Sequence, residues 1–155
     1  MRFKLLLIDD NISEKMLMQE AIEEAGLGET LELDYIGDAD KAFAYLKYLY
    51  AEEAMPQMIF LDLNMPIVSG FEILREIKSD ETLSTIMVYV VTNSDNKNDM
   101  LKAFEYKADG YLQKPNDFNQ MVMFFKAVKR AIETVNKLSV LYIDKYYMES
   151  MLSTN

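Results

Sequence analysis

Short apolar runs alternate with segments of helical period along the chain. Phe3 to Ile8 is apolar apart from Lys4, the pattern of a strand covered on both faces. Asn11, with Glu14 three residues on, has the form of an N-cap and capping box. The helix that follows is expected to carry Ile12, Met16 and Ile22 inward and to stop at Gly26. Leu31 to Ile36 alternates, which suits a strand nearer the sheet edge. Gly37-Asp38 opens a second helix that runs to about Glu53, and Met58 to Leu61 is a third strand. The loop from Asn64 to Gly70 leads into a helix bearing Phe71, Leu74 and Ile77. Met87 to Thr92 is a fourth strand, followed by the polar loop Asn93 to Asn98 and a helix with Leu101, Phe104 and Ala108. Gly110 to Gln113 is a short fifth strand. Asp117 and Gln120 suit the cap of a last helix, in which Phe118, Met121, Phe125, Val128, Ile132 and Val135 recur at helical spacing. Repeated βα units of this kind predict right-handed crossovers and a parallel sheet, the α/β class.

Residues 139–155 stand apart. Val140-Leu141-Tyr142-Ile143-Asp144 echoes Leu5 to Asp9, but the segment is too short for a second domain. An extra strand, a packed tail and a partner-binding segment are all open, and a loosely packed tail is the expectation for a terminus.

Composition narrows the functions. At 155 residues one domain is the default, and the net charge of -10 repels a nucleic-acid backbone. Lys126, Lys129 and Arg130 form too small a basic cluster to offset it, so no nucleic-acid partner is expected. There is no cysteine and no histidine. Disulfides, the usual zinc sites, serine–histidine hydrolysis and a phosphohistidine on this chain are therefore excluded. The apolar start resembles a signal peptide only until Asp9-Asp10 ends it. No run is long enough to span a membrane, so no membrane contact and a cytoplasmic location are expected. The twelve methionines and Tyr45, Tyr48 and Tyr50 are assigned to core and helix surface rather than to a docking patch.

The chemistry lies where the strands end. Asp9-Asp10, Asp62, Thr92 and Lys114-Pro115 each follow an apolar run, and in a parallel α/β sheet those ends share one ligand-binding edge. Three carboxylates, a hydroxyl and an ammonium would meet there. Magnesium takes oxygen ligands and keeps several waters, so two or three carboxylates suffice, and packed like charges call for a cation. Taken singly, each residue has an ordinary reading: Asp as turn former, Thr and Tyr111 as strand filling, Lys as a solvated surface charge.

Taken jointly, Asp9-Asp10, then Leu61-Asp62-Leu63-Asn64-Met65-Pro66 with Gly70, then Val90-Val91-Thr92, then Gly110-Tyr111-Leu112-Gln113-Lys114-Pro115, resemble the receiver domain of two-component response regulators. The resemblance runs from about residue 2 to 136 and implies a doubly wound five-stranded, flavodoxin-like (βα)5 fold of strand order 2-1-3-4-5. It places the receiver at residues 1–138 and a C-terminal tail at 139–155. It implies Asp62 as phosphoacceptor, Asp10 and Asp62 as direct magnesium ligands, Asp9 acting mainly through water, and Asn64 through its backbone carbonyl. Lys114 and Thr92 would hold phosphoryl oxygens, Tyr111 would be the aromatic switch, and Lys114–Pro115 would be cis. The implied molecule resembles the stand-alone chemotaxis regulator. It is not an enzyme on outside substrates; it catalyses phosphorylation and dephosphorylation of its own aspartate. Its donor would be a histidine kinase or phosphotransfer protein. The output would leave through the face made by the fourth helix, fifth strand and last helix. The downstream protein is unnamed and homodimerisation is open. Asn93 and Asn116 depart from the usual pattern, Asn93 standing where a very small residue is common, and Ser94 sits where hydrolysis is tuned.

Three competing readings stand beside it. A haloacid-dehalogenase-type phosphatase would use Asp9 as nucleophile but wants an Asp where Asn11 stands. A receiver-fold scaffold would never be phosphorylated. A flavodoxin-like nucleotide binder would place a phosphate loop where this chain has two carboxylates.

Overall fold

A computed structural model describes residues 2–135 and 140–153. Five parallel strands, β1 (Phe3–Ile8), β2 (Leu31–Ile36), β3 (Met58–Leu61), β4 (Met87–Thr92) and β5 (Gly110–Gln113), lie in the order β2-β1-β3-β4-β5. The helices are α1 (Ile12–Glu24), α2 (Ala42–Ala51, entered through a 3-10 turn at Ala39–Lys41), α3 (Gly70–Ser79), α4 (Lys97–Glu105), α5 (Phe118–Val135) and α6 (Val140–Ser153).

The continuous apolar runs have a simple cause: both faces of the sheet are covered. Leu5, Leu7, Met58, Phe60, Tyr89 and Val91 turn toward α1, α5 and α6. Leu6, Ile8, Ile59, Leu61, Val88 and Val90 turn toward α2, α3 and α4. β2 is an edge strand and correspondingly the least apolar, as its alternation suggested. β1 pairs with β3 so that Ile8 faces Leu61, and Asp9 and Asp62 therefore leave adjacent strands at the same level.

The helical faces differ from expectation in places. Ile12 and Met16 are exposed, and α1 buries Met18 and Ala21 beside Ile22, which is inward as expected. The helix phase, set by Asn11 capping Ser13, brings the latter residues under the sheet. Leu101 and Phe104 are exposed on α4, where Ala103 is the buried residue. Phe118 is also exposed, while Met121, Phe125, Val128 and Ile132 pack inward; the side chain of Val135 lies outside the described residues.

The tail is a packed helix, neither the loosely packed terminus expected nor an extra strand. In α6, Ile143 and Tyr146 are buried against α5, and Tyr147 stands edge-on to Phe124. With β5 already at the edge and α5 beside it, the uncovered apolar surface is a helix face, which rewards period 3.6 rather than 2. Asp144 accepts a short hydrogen bond from the hydroxyl of Tyr89, whose ring is buried between Phe60 and Phe124. Gly110 makes room for that ring, since a Cβ there would come within 2.6 Å of it. The expected boundary between residues 138 and 139 lies outside the described residues.

Candidate functional site

Each of the predicted strand-end residues arrives at one edge, and backbone bonds explain why. The Asp62 N–H donates to Ile8 O (3.0 Å) and the Lys114 N–H to Thr92 O (2.7 Å), each continuing a ladder one residue past its strand. Asp9, Asp62 and Thr92 are buried; Asp10 is exposed. One oxygen from each of Asp9, Asp10 and Asp62 lies within 4.8 Å of the others. They open onto a cavity of about 440 Å³, also lined by Asn64, Asn93 and Lys114.

Asp9 is largely committed. One oxygen accepts the Asn11 N–H (2.9 Å) and the other pairs with Lys114 Nζ (2.9 Å). Among the described residues Asp62 receives only a long bond, from the Asn64 N–H (3.3 Å). Burial pushes the Asp62 carboxyl up, with Asp9 and Asp10 adding to it, while Lys114 and the Asn64 N–H pull the other way. Burial pulls the Lys114 ammonium down, but the hydrogen bond to Asp9 and the charges of Asp9, Asp62 and Glu14 outweigh it, leaving its pKa raised. Three carboxylates around one ammonium form a donor set of hard oxygens with a charge surplus, which fits a divalent cation.

Thr92 is fully buried. Its oxygen accepts from Asn64 Nδ2 (3.2 Å) and the Ser94 N–H (3.3 Å), and Asn64 links it to the cavity wall. Ser94 is a junction: its Oγ donates to Asp99 on α4 (2.7 Å) and its carbonyl accepts from the half-buried Tyr111 hydroxyl (3.1 Å). The loop carrying Asp62 is pinned by Gly70, where a Cβ would come within 2.2 Å of the Asp62 carbonyl; α3 therefore starts directly against the backbone of Asp62 and Leu63.

Two expectations are corrected. No peptide bond among the described residues is cis, so Lys114–Pro115 is trans. The trans isomer is favoured by about 0.5–1 kcal/mol for X–Pro, and from it Lys114 already reaches Asp9. The capping box at Asn11 is also not closed: the Glu14 carboxylate turns to Lys114 Nζ at 3.6 Å. Glu14 was thus missed as a site residue. Its position one helical turn after Asp10 was the signal that could have found it.

The sequence of residues 5–126 matches the model of the response regulator receiver domain. The chain belongs to that family, and its five-stranded sheet in the order 2-1-3-4-5 with helices on both faces is the family's fold. It is 33% identical over 136 residues to the probable methanogenesis regulatory protein FilR2 of Methanothrix harundinacea, covering 87% of this chain and 82% of that one. It is 30% identical over 132 residues to the response regulator Rcp1 of Synechocystis, covering 84% and 90%. Among solved structures, the phosphorylated cyanobacterial phytochrome response regulator RcpA superposes with a TM-score of 0.77 at 31% identity, covering 89% of this chain and 99% of that one. The Mn(2+)-bound form of Rcp1 superposes at 0.74 and 28% identity with the same coverage. No helix among the described residues is long and apolar enough to cross a membrane.

Proposed function

We propose that the protein is a phosphorylation-driven signalling receiver in which Asp62 accepts a phosphoryl group from a histidine kinase or phosphotransfer protein. The observation that carries this reading is the state of Asp62: a buried carboxylate facing the cavity, short of hydrogen bonds, beside an ammonium and two more carboxylates. An Asp62 oxygen attacks phosphorus, the donor's P–N bond breaks, and the imidazole nitrogen leaves with the bonding pair. Asp10 and Asp62, with Asp9 through water and the Asn64 carbonyl, would hold magnesium, which would supply positive charge against the phosphoryl oxygens. Lys114 gives a second cation, and the Thr92 O–H donates to another oxygen. Asp9 suits the nucleophile role less well than Asp62, because both its oxygens are already engaged.

The signal leaves through Ser94. A pull on Thr92 reaches the Ser94 N–H, and Ser94 bonds both Tyr111 on β5 and Asp99 on α4. Tyr111 is then the aromatic switch, and the exposed Leu101 and Phe104 on α4 belong to the surface that reads it. Intact mass after incubation with magnesium and a small phosphodonor tests the reading. A single phosphoryl adduct is expected for wild type, absent without magnesium and absent in Asp62→Asn. An adduct on Asp62→Asn at the wild-type rate would sink the assignment.

A further inference from the structure

We propose that Glu14 is a specificity-determining residue: its carboxylate competes with an incoming phosphoryl group for the Lys114 ammonium and sets an electrostatic threshold against small anionic phosphodonors. This rests on Asp62 as phosphoacceptor.

Glu14 does no necessary work as a cap, because Asn11 already accepts the Ser13 N–H and the Glu14 side chain points elsewhere. It stands in the wall between the acidic cavity and a neighbouring one of about 300 Å³ that runs along α1 and the start of α5. Its side chain is 20% exposed, and that of its partner Lys114 is 8% exposed, so the pair is only partly screened by solvent. Among the described residues Lys114 is the sole cation lining the acidic cavity, where Asp9, Asp10, Asp62 and Glu14 all face it. A bound divalent cation still leaves an excess of negative charge before any phosphoryl group arrives. Every anionic donor therefore enters against Glu14, and Lys114 must leave Glu14 to meet it. A small donor has nothing else to hold it, so the opposition appears as weak binding. A protein donor that docks by its own interface saturates regardless, and for it the same opposition is hidden. Glu14 thus biases the pocket toward docked donors.

The test is uptake from acetyl phosphate, followed against donor concentration at saturating magnesium, for wild type, Glu14→Gln and Glu24→Gln. Gln is isosteric with Glu, and Glu24→Gln removes the same charge from the exposed far end of α1. Glu14→Gln is expected to lower the half-saturating donor concentration roughly threefold to tenfold, the size of one unit charge acting on a dianion through partly screened medium. The maximal rate should stay within about twofold, and the dependence on ionic strength should weaken. Glu24→Gln should match wild type. An unchanged half-saturating concentration, or an equal fall in maximal rate, would overturn the proposal. Binding of inorganic phosphate to the magnesium-loaded protein, read from the chemical shift of Lys114 Nζ, separates the two readings. Tighter binding in Glu14→Gln is expected there, and equal affinity overturns the role of Glu14 even if Asp62 proves a good phosphoacceptor. Failure of wild type to form any adduct strikes the phosphoacceptor reading instead.

Discussion

Two lysines are buried to nearly the same degree at opposite ends of the β4–β5 pair, and they do different things. Lys78, 9% exposed, sends Nζ to Asp109 Oδ2 (2.7 Å), Ile86 O (2.8 Å) and Ser84 O (3.2 Å). Three donors meet three acceptors, and Asp109 also takes the Val88 N–H. The arrangement is closed and clamps the entry to β4. Lys114, 8% exposed, pairs with Asp9 and Glu14, while among the described residues Asp10 and Asp62 have no ion pair of their own. Equal burial therefore does not mark a functional lysine. What distinguishes Lys114 is surplus acid around it, a charge imbalance that only a ligand can resolve.

The largest effect expected from breaking this contrast is chemical. Asp62→Asn should abolish the phosphoryl adduct, whereas Asp109→Asn, on the carboxylate of the closed clamp, should leave it in place by mass spectrometry. Next comes the pair of lysines. Lys114→Ala should take up phosphate yet fail to shift the Ser94 and Tyr111 backbone amide signals, uncoupling uptake from the switch. Normal shifts on phosphorylation would show its role overstated. In urea unfolding, both Lys78→Ala and Lys114→Ala should lose about 1–3 kcal/mol, from acceptors left without a donor. Magnesium should restore most of the loss for Lys114→Ala and none for Lys78→Ala. Equal rescue of both would dissolve the distinction.

Smaller effects sharpen it. Tyr89→Phe removes the bond to Asp144 and should cost about 0.5–1.5 kcal/mol, with α6 amides exchanging faster than those of β3. Asp80 gives the smallest effect. Hydrogen bonds from Thr82 foremost, with Lys47 and Leu83 helping, hold its carboxyl down at about 2, below the ordinary 3.8. A lowered carboxylate contributes stability above its ordinary value and loses it as pH falls toward its folded value. Asp80→Asn should therefore lower Tm at pH 6, with the gap from wild type closing between about 4 and about 2. A gap constant across that range would locate the effect in packing instead.

Much of this was legible in the sequence because strand-end chemistry follows from period and topology alone. The bounds of β3, β4 and β5 match the apolar runs, and parallel order forces Asp9, Asp62, Thr92 and Lys114 to one edge. Helix faces were less legible. Ile12, Met16, Leu101 and Phe104 are apolar yet exposed, and period alone cannot separate a core stripe from a surface one when both carry apolar residues. The tail stayed open for a related reason: Val140 to Asp144 has the composition of β1, and the helix face offered by α5 decides its conformation. Glu14 and Ser94 were obscured because local capping and loop chemistry explain such residues without any reference to a distant lysine or tyrosine.

The docking of α6 has a consequence for how the molecule is made. A ribosome delivers the chain amino end first, so α6 follows every residue of the stack of Phe60, Tyr89 and Phe124 that it flanks. Until α6 docks, Tyr147 is missing from beside Phe124 and the Tyr89 hydroxyl lacks Asp144. A receiver whose α6 has not yet docked thus keeps one aromatic side open, and the docking of α6 closes it.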